Sequence, residues 1–222
     1  MQSKLPFQVL LLIFLLFVIL VPQFIHADEN DWEFWNDYYA DWGLTDNWKA
    51  KITLEFKYND DMSDHYYSHI DAGVSRRFSE WFGLGINYRY IDEDSGSGWN
   101  TEHRPSVTGT FNWNWGKVRL TNRNRIEYRD REASSNTWRY RNRLLIRPPQ
   151  KWTGFQIQPY FSGELFYQFS VTSWNQYRLR AGLDSKLTEL LQLDIYYMLL
   201  SSESGDDWSN SNILGLNLGL AF

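Results

Sequence analysis

The chain has 222 residues, 18% of them aromatic, no cysteine and a formal net charge of −5. That length is one domain's worth, and without cysteine no disulfide staples the fold. A mean hydropathy of −0.52 excludes a helical membrane bundle but suits a transmembrane barrel, in which half of each strand faces a polar lumen.

The first segment has Lys4, an unbroken apolar run of 13 residues from Val9 to Val21, Pro22, and the small residue Ala27. This layout predicts a secretory signal peptide over 1–27. The run is shorter than the roughly 20 residues of a membrane-spanning helix. Removing it takes away Lys4 and changes the net charge from −5 to −6, one positive charge fewer. Residues 28–46 follow as an acidic, aromatic-rich segment with Asp28, Glu29, Asp31, Glu33, Asp37, Asp41 and Asp46 and no base.

From residue 47 the hydrophobic period is two. In "WKAKITLEFKY", Trp48, Ala50, Ile52, Leu54, Phe56 and Tyr58 alternate with Lys49, Lys51, Thr53, Glu55 and Lys57. A strand puts the two sets on opposite faces. The pattern predicts ten strands, about 47–59, 66–79, 81–92, 103–115, 117–130, 137–148, 154–169, 175–186, 191–201 and 211–222. Short turns (Ser79–Trp81, Gly116, Pro149–Thr153, Leu187–Leu190) alternate with longer polar loops, as in outer-membrane barrels of even strand number. By that parity the barrel occupies 47–222, residues 28–46 lie on the periplasmic side, and they supply no further spanning strand. The expected fold is thus all-β, an antiparallel transmembrane barrel of about ten strands, with eight or twelve as alternatives. Trp and Tyr near the strand ends fit aromatic girdles. The terminal Phe222 resembles the insertion signal read by the barrel-assembly machinery.

The stretches "LTDNWKAKITLEFKY", "NRNRIEYR", "WRYRNRLLIR", "PYFSGELFYQF" and "NQYRLRAGL", with the "DxW" start near Asp31, resemble the bacterial family called domain of unknown function 2490. The resemblance implies an outer-membrane barrel and carries no activity.

Ten of the 22 basic residues lie between Lys117 and Arg147, mostly two apart. Period two turns Arg119, Arg123, Arg125, Glu127 and Arg129 inward on one strand and Arg139, Arg141, Arg143 and Arg147 on the next. A hairpin pairing Arg129 with Thr137 sets Arg125 opposite Arg141 and Arg123 opposite Arg143, and opposed like charges are destabilising. Pairing Gln168 with Gln176, and Pro149 with Gln156, predicts one layer of Arg125, Arg141, Glu164 and Arg180. Lys49, Lys51, Lys57, Arg77, Arg89, Arg104, Lys117, Arg178 and Lys186 join the inward bases, against Glu55, Asp71, Glu127, Glu164, Asp184 and Asp194. Three occupants offer the missing negative charge: Glu164, the segment 28–46 folded into or across the lumen through Trp32, Trp35 and Trp42, or a small anionic ligand. The alternative is an internal ion-pair network filling a narrow barrel, the preferred reading. Asn122, Asn124 and Asn142 fall on the lipid side, where polar groups are costly. They pair with one another, mark a protein contact, or reveal a phase slip at a bulge; the slip is the expectation.

Two other functions stay open, a narrow anion-preferring channel and an outer-rim hydrolase. For the second, His69 and Asp71 with Asp92 and Asp94 resemble the layout of the omptin proteases. No zinc motif, phosphate loop or nucleotide fingerprint is present, so no metal or cofactor is expected. A signal peptide and sustained strand alternation argue against nucleic acid. The expected location is the outer membrane of a Gram-negative bacterium, among its lipids and lipopolysaccharide. Acids at Asp60, Asp61, Asp64, Asp92, Glu93, Asp94, Asp206 and Asp207 sit where they either bridge lipopolysaccharide phosphates through divalent cations or are simply solvated, the preferred reading.

Overall fold

The computed structural model describes residues 32–149, 156–205 and 207–222. The expected signal peptide lies outside them. The described residues form a closed barrel of 11 strands: β1 (Trp32–Gly43), β2 (Trp48–Asn59), β3 (Asp64–Arg77), β4 (Phe82–Asp94), β5 (Trp99–Trp115), β6 (Val118–Arg131), β7 (Thr137–Arg147), β8 (Gln158–Gln168), β9 (Ser173–Lys186), β10 (Leu191–Ser204) and β11 (Asp207–Ala221). β2 to β11 correspond one to one with the ten strands expected from period two, with ends that differ by up to four residues; residues 154–155 of the expected strand 154–169 lie outside the described residues.

The count is corrected from ten to 11, and the correction is β1. Residues 32–43 are a strand of the wall. They pair antiparallel with β2 and parallel with β11, in register from Trp32 opposite Asn212 to Asp41 opposite Ala221. Parity forbids an odd strand only when the first and last strands meet antiparallel. One parallel pair closes an up-and-down barrel of odd number, as in the 19-stranded mitochondrial channel. The segment is therefore not confined to one mouth. The hairpin at 44–47 sits at the Phe222 end, where Phe222 N–H donates to Asp41 O (2.9 Å) and Gly43 N–H to Phe222 O (3.1 Å). Trp32 sits at the opposite end. Loop length does not alternate as expected either, because the strands run further than predicted into the acidic loops, and the longest connection follows β7 on the Phe222 side.

The faces divide as the alternation requires. Outside, Leu84, Ile86, Val107, Ile126, Leu165, Ile195 and Leu214 are exposed. Rings flank this band: Trp42, Trp48, Trp81, Trp113 and Trp115 at the Phe222 end, and Trp99, Trp138, Phe169, Trp174 and Trp208 at the other. Inside, a small apolar cluster of Trp35, Leu145, Tyr160, Tyr196, Met198 and Ile213 lines one side of the lumen.

Two glycines let tyrosines lie flat on this inner wall. A Cβ on Gly215 would stand 1.9 Å from Cζ of Tyr196, its cross-strand partner, and one on Gly219 would stand 2.0 Å from Cζ of Tyr39 across the parallel seam. Gly215→Ala is thus expected to displace Tyr196 and cost about 1–3 kcal/mol, the usual range for overpacking. Urea titration in lipid vesicles measures this, and Tyr196→Ala in the same chain should recover part of the loss.

The phase slip expected around the three asparagines is absent. β6 and β7 pair without a register shift from Arg119 opposite Arg147 to Arg129 opposite Thr137, with Asn124 opposite Asn142. Their side chains bond to one another.

Candidate functional site: the charged lumen

The β6–β7 hairpin has the predicted register, so Arg125 faces Arg141 and Arg123 faces Arg143. The predicted layer through β8 and β9 is shifted by two residues. β7 ends at Arg147 and β8 begins at Gln158, a longer connection than a turn pairing Pro149 with Gln156, so Glu164 lies opposite Arg143. β8 and β9 join by a tighter hairpin that pairs Gln168 with Ser173, with a register shift at Phe166/Tyr167, and Glu164 meets Arg178. A shift of two keeps every side chain on its face but changes its neighbours. The observed row is Arg123, Arg143, Glu164 and Arg178. Arg125 and Arg141 lie one row over, beside Phe166, and Arg180 lies across from Ser162.

Carboxylates absorb much of the arginine charge. Glu127, with 0% exposure, accepts from Arg139 at 2.5 Å and lies 3.4 Å from Arg141. Glu164 accepts from Arg141 at 2.9 Å and lies 3.5 Å from Arg123. Asp194 holds Arg180 at 2.5 Å, Asp71 holds Arg89 at 3.0 Å, and Asp184 holds Arg147 at 3.0 Å. Arg119, opposite Arg147 and Asn114, sits at the Phe222 end.

Several of the acids were not in the predicted inward set. Glu102 grips Arg104 at 2.6 Å and Arg129 at 2.7 Å. It stands two residues before Arg104, and the alternation reaches it once β5 is begun at Trp99. Glu93 lines the lumen near the Trp32 end. β1 turns Glu33, Asp37 and Asp41 inward, opposite Ile213, Glu55 and Lys51. The N-terminal segment thus does supply negative charge, but as part of the wall. Along β1 the inward set mixes these acids with Trp35 and Tyr39 and the outward set includes Asn36, so no clean apolar alternation marks it as a strand.

The charges are segregated around the barrel. β10, β11, β1, β2 and β3 present Asp194, Glu33, Asp37, Asp41, Glu55 and Asp71 against Lys51 and Lys57. β4 to β9 present most of the arginines, from Arg89 and Arg104 to Arg178 and Arg180, against Glu93, Glu102, Glu127, Glu164 and Asp184. Between the two walls lies a cavity of about 650 Å³. Aromatic rings carry cations along its side: Arg178 stacks on Phe166 (4.8 Å) and Trp35 (5.0 Å), and Lys57 on Trp35 (3.6 Å) and Tyr67 (4.0 Å). These contacts and the apolar cluster narrow the bore.

Three guanidinium groups on the cavity have no carboxylate within 4 Å among the described residues: Arg125, Arg143 and Arg178. Arg125 Nε donates to Thr108 Oγ1 at 2.9 Å. The Nε atoms of Arg143 and Arg178 are buried without an acceptor.

The rim quartet is not assembled. His69 and Asp71 face the lumen, and His69 Nδ1 lies 2.8 Å from Glu55 Oε2. Asp92 and Asp94 pair with Thr101 and Trp99, out of phase with the lumen-facing Ile91 and Glu93, and so lie on the other side of the wall from His69. Among the described residues no cluster of three or more His, Cys, Asp or Glu side chains is placed to hold a metal ion.

A closed barrel with an apolar, aromatic-belted exterior and a charged interior is an outer-membrane-type β-barrel. The chain belongs to the family described as "Protein of unknown function (DUF2490)", which matches residues 32–211. No curated protein matches it. Among solved structures it is similar to an anion-selective porin from Comamonas acidovorans, at 12% identity and a TM-score of 0.40, covering 78% of this chain and 53% of the porin. The chain thus spans about half the length of that porin. It is also similar to the beta domain of the Bordetella autotransporter Brka, at 13% identity and a TM-score of 0.45, covering 78% of this chain and 82% of that one.

Proposed function

We propose that this protein is an integral outer-membrane barrel of a Gram-negative envelope whose lumen is a binding compartment for a small anion, not a wide pore. One observation carries the reading: Arg125, Arg143 and Arg178 line the cavity without a carboxylate partner, beside a Glu164 already engaged by Arg141 and Arg123. Buried cations need compensation, and a guanidinium fork fits carboxylate or phosphate oxygens in two bonds. The rest of the lumen is an ion-pair network, the preferred reading of the sequence. Barrels of about eight strands are filled by side chains and aqueous channels appear near 16, so 11 strands narrowed by Trp35, Tyr160 and Tyr196 favour a pocket over free passage.

Heat-modifiable migration of the refolded chain on gels tests the barrel. Thermal unfolding in detergent tests the site: phosphate or citrate should raise the melting temperature above that in chloride of equal ionic strength. A ligand at 100 times its Kd contributes about 2.7 kcal/mol. Arg143→Gln with Arg178→Gln should remove the difference. Equal melting in all three salts would sink the anion site. A steady anion-selective current in planar bilayers would favour the second reading, a narrow channel.

A further inference from the structure

On β6 and β7 the apolar band of the outer face is interrupted by a cluster of four polar side chains. Asn122, Asn124, Tyr140 and Asn142 alternate with lumen-facing arginines on β6 and β7, so they project outward, between Leu120 and Ile126 on one strand and beside Leu144 on the other. The Tyr140 hydroxyl donates to Asn124 Oδ1 at 2.6 Å, Asn124 Nδ2 to Asn122 Oδ1 at 2.7 Å, Asn142 Nδ2 to Asn124 Oδ1 at 2.8 Å, and Asn122 Nδ2 to Asn142 Oδ1 at 3.2 Å.

A carboxamide carries two N–H donors. Asn122 and Asn124 each donate once within the cluster, so each keeps a second N–H. Acyl chains offer no acceptor, and in the middle of the band lipid headgroups are out of reach. The partner for these groups must be protein. Gly109, opposite Asn124, and Gly163, opposite Leu144, add no side chain of their own on either flank, and Phe111 and Leu84 lean toward the first and Leu179 toward the second.

We propose that this face is the contact between two copies of the chain in the membrane, with the asparagine–tyrosine cluster of one lying against the same cluster of the other. The patch is uncharged, and each carboxamide both donates and accepts. It is therefore complementary to itself across a twofold axis, as an isologous contact requires. The proposal rests on the membrane reading above.

The chain has no cysteine, so one introduced thiol reports on one position. Leu144→Cys leaves the cluster intact; Leu214→Cys places the thiol on β11, on the far side of the barrel. Each variant is inserted into phospholipid vesicles and oxidised. Insertion is read separately, by co-flotation with the vesicles and heat-modifiable migration, so a failure of the membrane reading shows there and not in the cross-link. The Leu144→Cys chain is expected to give a disulfide-linked dimer as its main product and Leu214→Cys almost none. Adding Asn122→Leu and Asn142→Leu should abolish the Leu144→Cys dimer while heat-modifiable migration persists. Equal cross-linking at both thiols, none at Leu144→Cys, or a dimer that survives the two leucines would overturn the proposal. If the leucine variant fails to fold, the comparison of the two thiols decides alone.

Discussion

A chain lacking residues 32–43 is expected to yield no folded barrel. β1 supplies both sides of a seam, ten paired positions with β2 and ten with β11. Without it the facing edges of β2 and β11 carry unpaired amides and carbonyls into hydrocarbon, where each such group costs several kcal/mol. Even a few of them exceed the 5–15 kcal/mol that separates folded from unfolded domains. β2 and β11 run in opposite directions, so they are able to close directly as a barrel of ten. That closure gives up Glu33, Asp37 and Asp41 from an already basic interior, together with Trp35, on which Arg178 and Lys57 stack, and Tyr39, which covers Gly219. Heat-modifiable migration and far-ultraviolet dichroism in vesicles measure the outcome. A plug behaves differently: its removal leaves a folded barrel and opens conductance. A truncated barrel that conducts and is as stable as the full chain would refute the wall assignment, because direct closure of β2 on β11 gives up the contacts that β1 makes.

The second large effect is expected at Glu127. Its carboxylate has no solvent exposure and holds Arg139 at 2.5 Å with Arg141 3.4 Å away. Glu127→Gln keeps the shape and removes the charge, leaving two buried guanidinium groups partly uncompensated. Breaking one side of a buried pair costs about 3–5 kcal/mol. Asp184→Asn is the control, because its pair with Arg147 at 3.0 Å is 32% exposed on both sides, and partly exposed pairs contribute about 0–1 kcal/mol. The two variants are compared by urea midpoint in the same vesicles. Equal midpoints would show that the network at Glu127 does not stabilise the barrel.

Much of the site was legible because facing is a local property. The phase of "NRNRIEYR" and "WRYRNRLLIR" assigns Arg123, Arg125, Arg141 and Arg143 to the lumen, and the short loop between the strands sets their register. Beyond that hairpin the reading failed by two residues on each side of β8, where connection length and a bulge determine partners. It also failed on the asparagines, since an outward polar run reads like a slip until its mutual hydrogen bonds are seen.

The amino-acid sequence by itself determined the barrel class, the ten strands from β2 to β11, and the inward face within the bounds it gave them, because a period of two follows from the pleat of a single strand. Tertiary structure alone decided the eleventh strand, the row that joins Glu164 to Arg143 and Arg178, and which arginines stay unpaired. Those depend on where distant strands meet and on the direction in which the last strand closes on the first, and no local repeat encodes either.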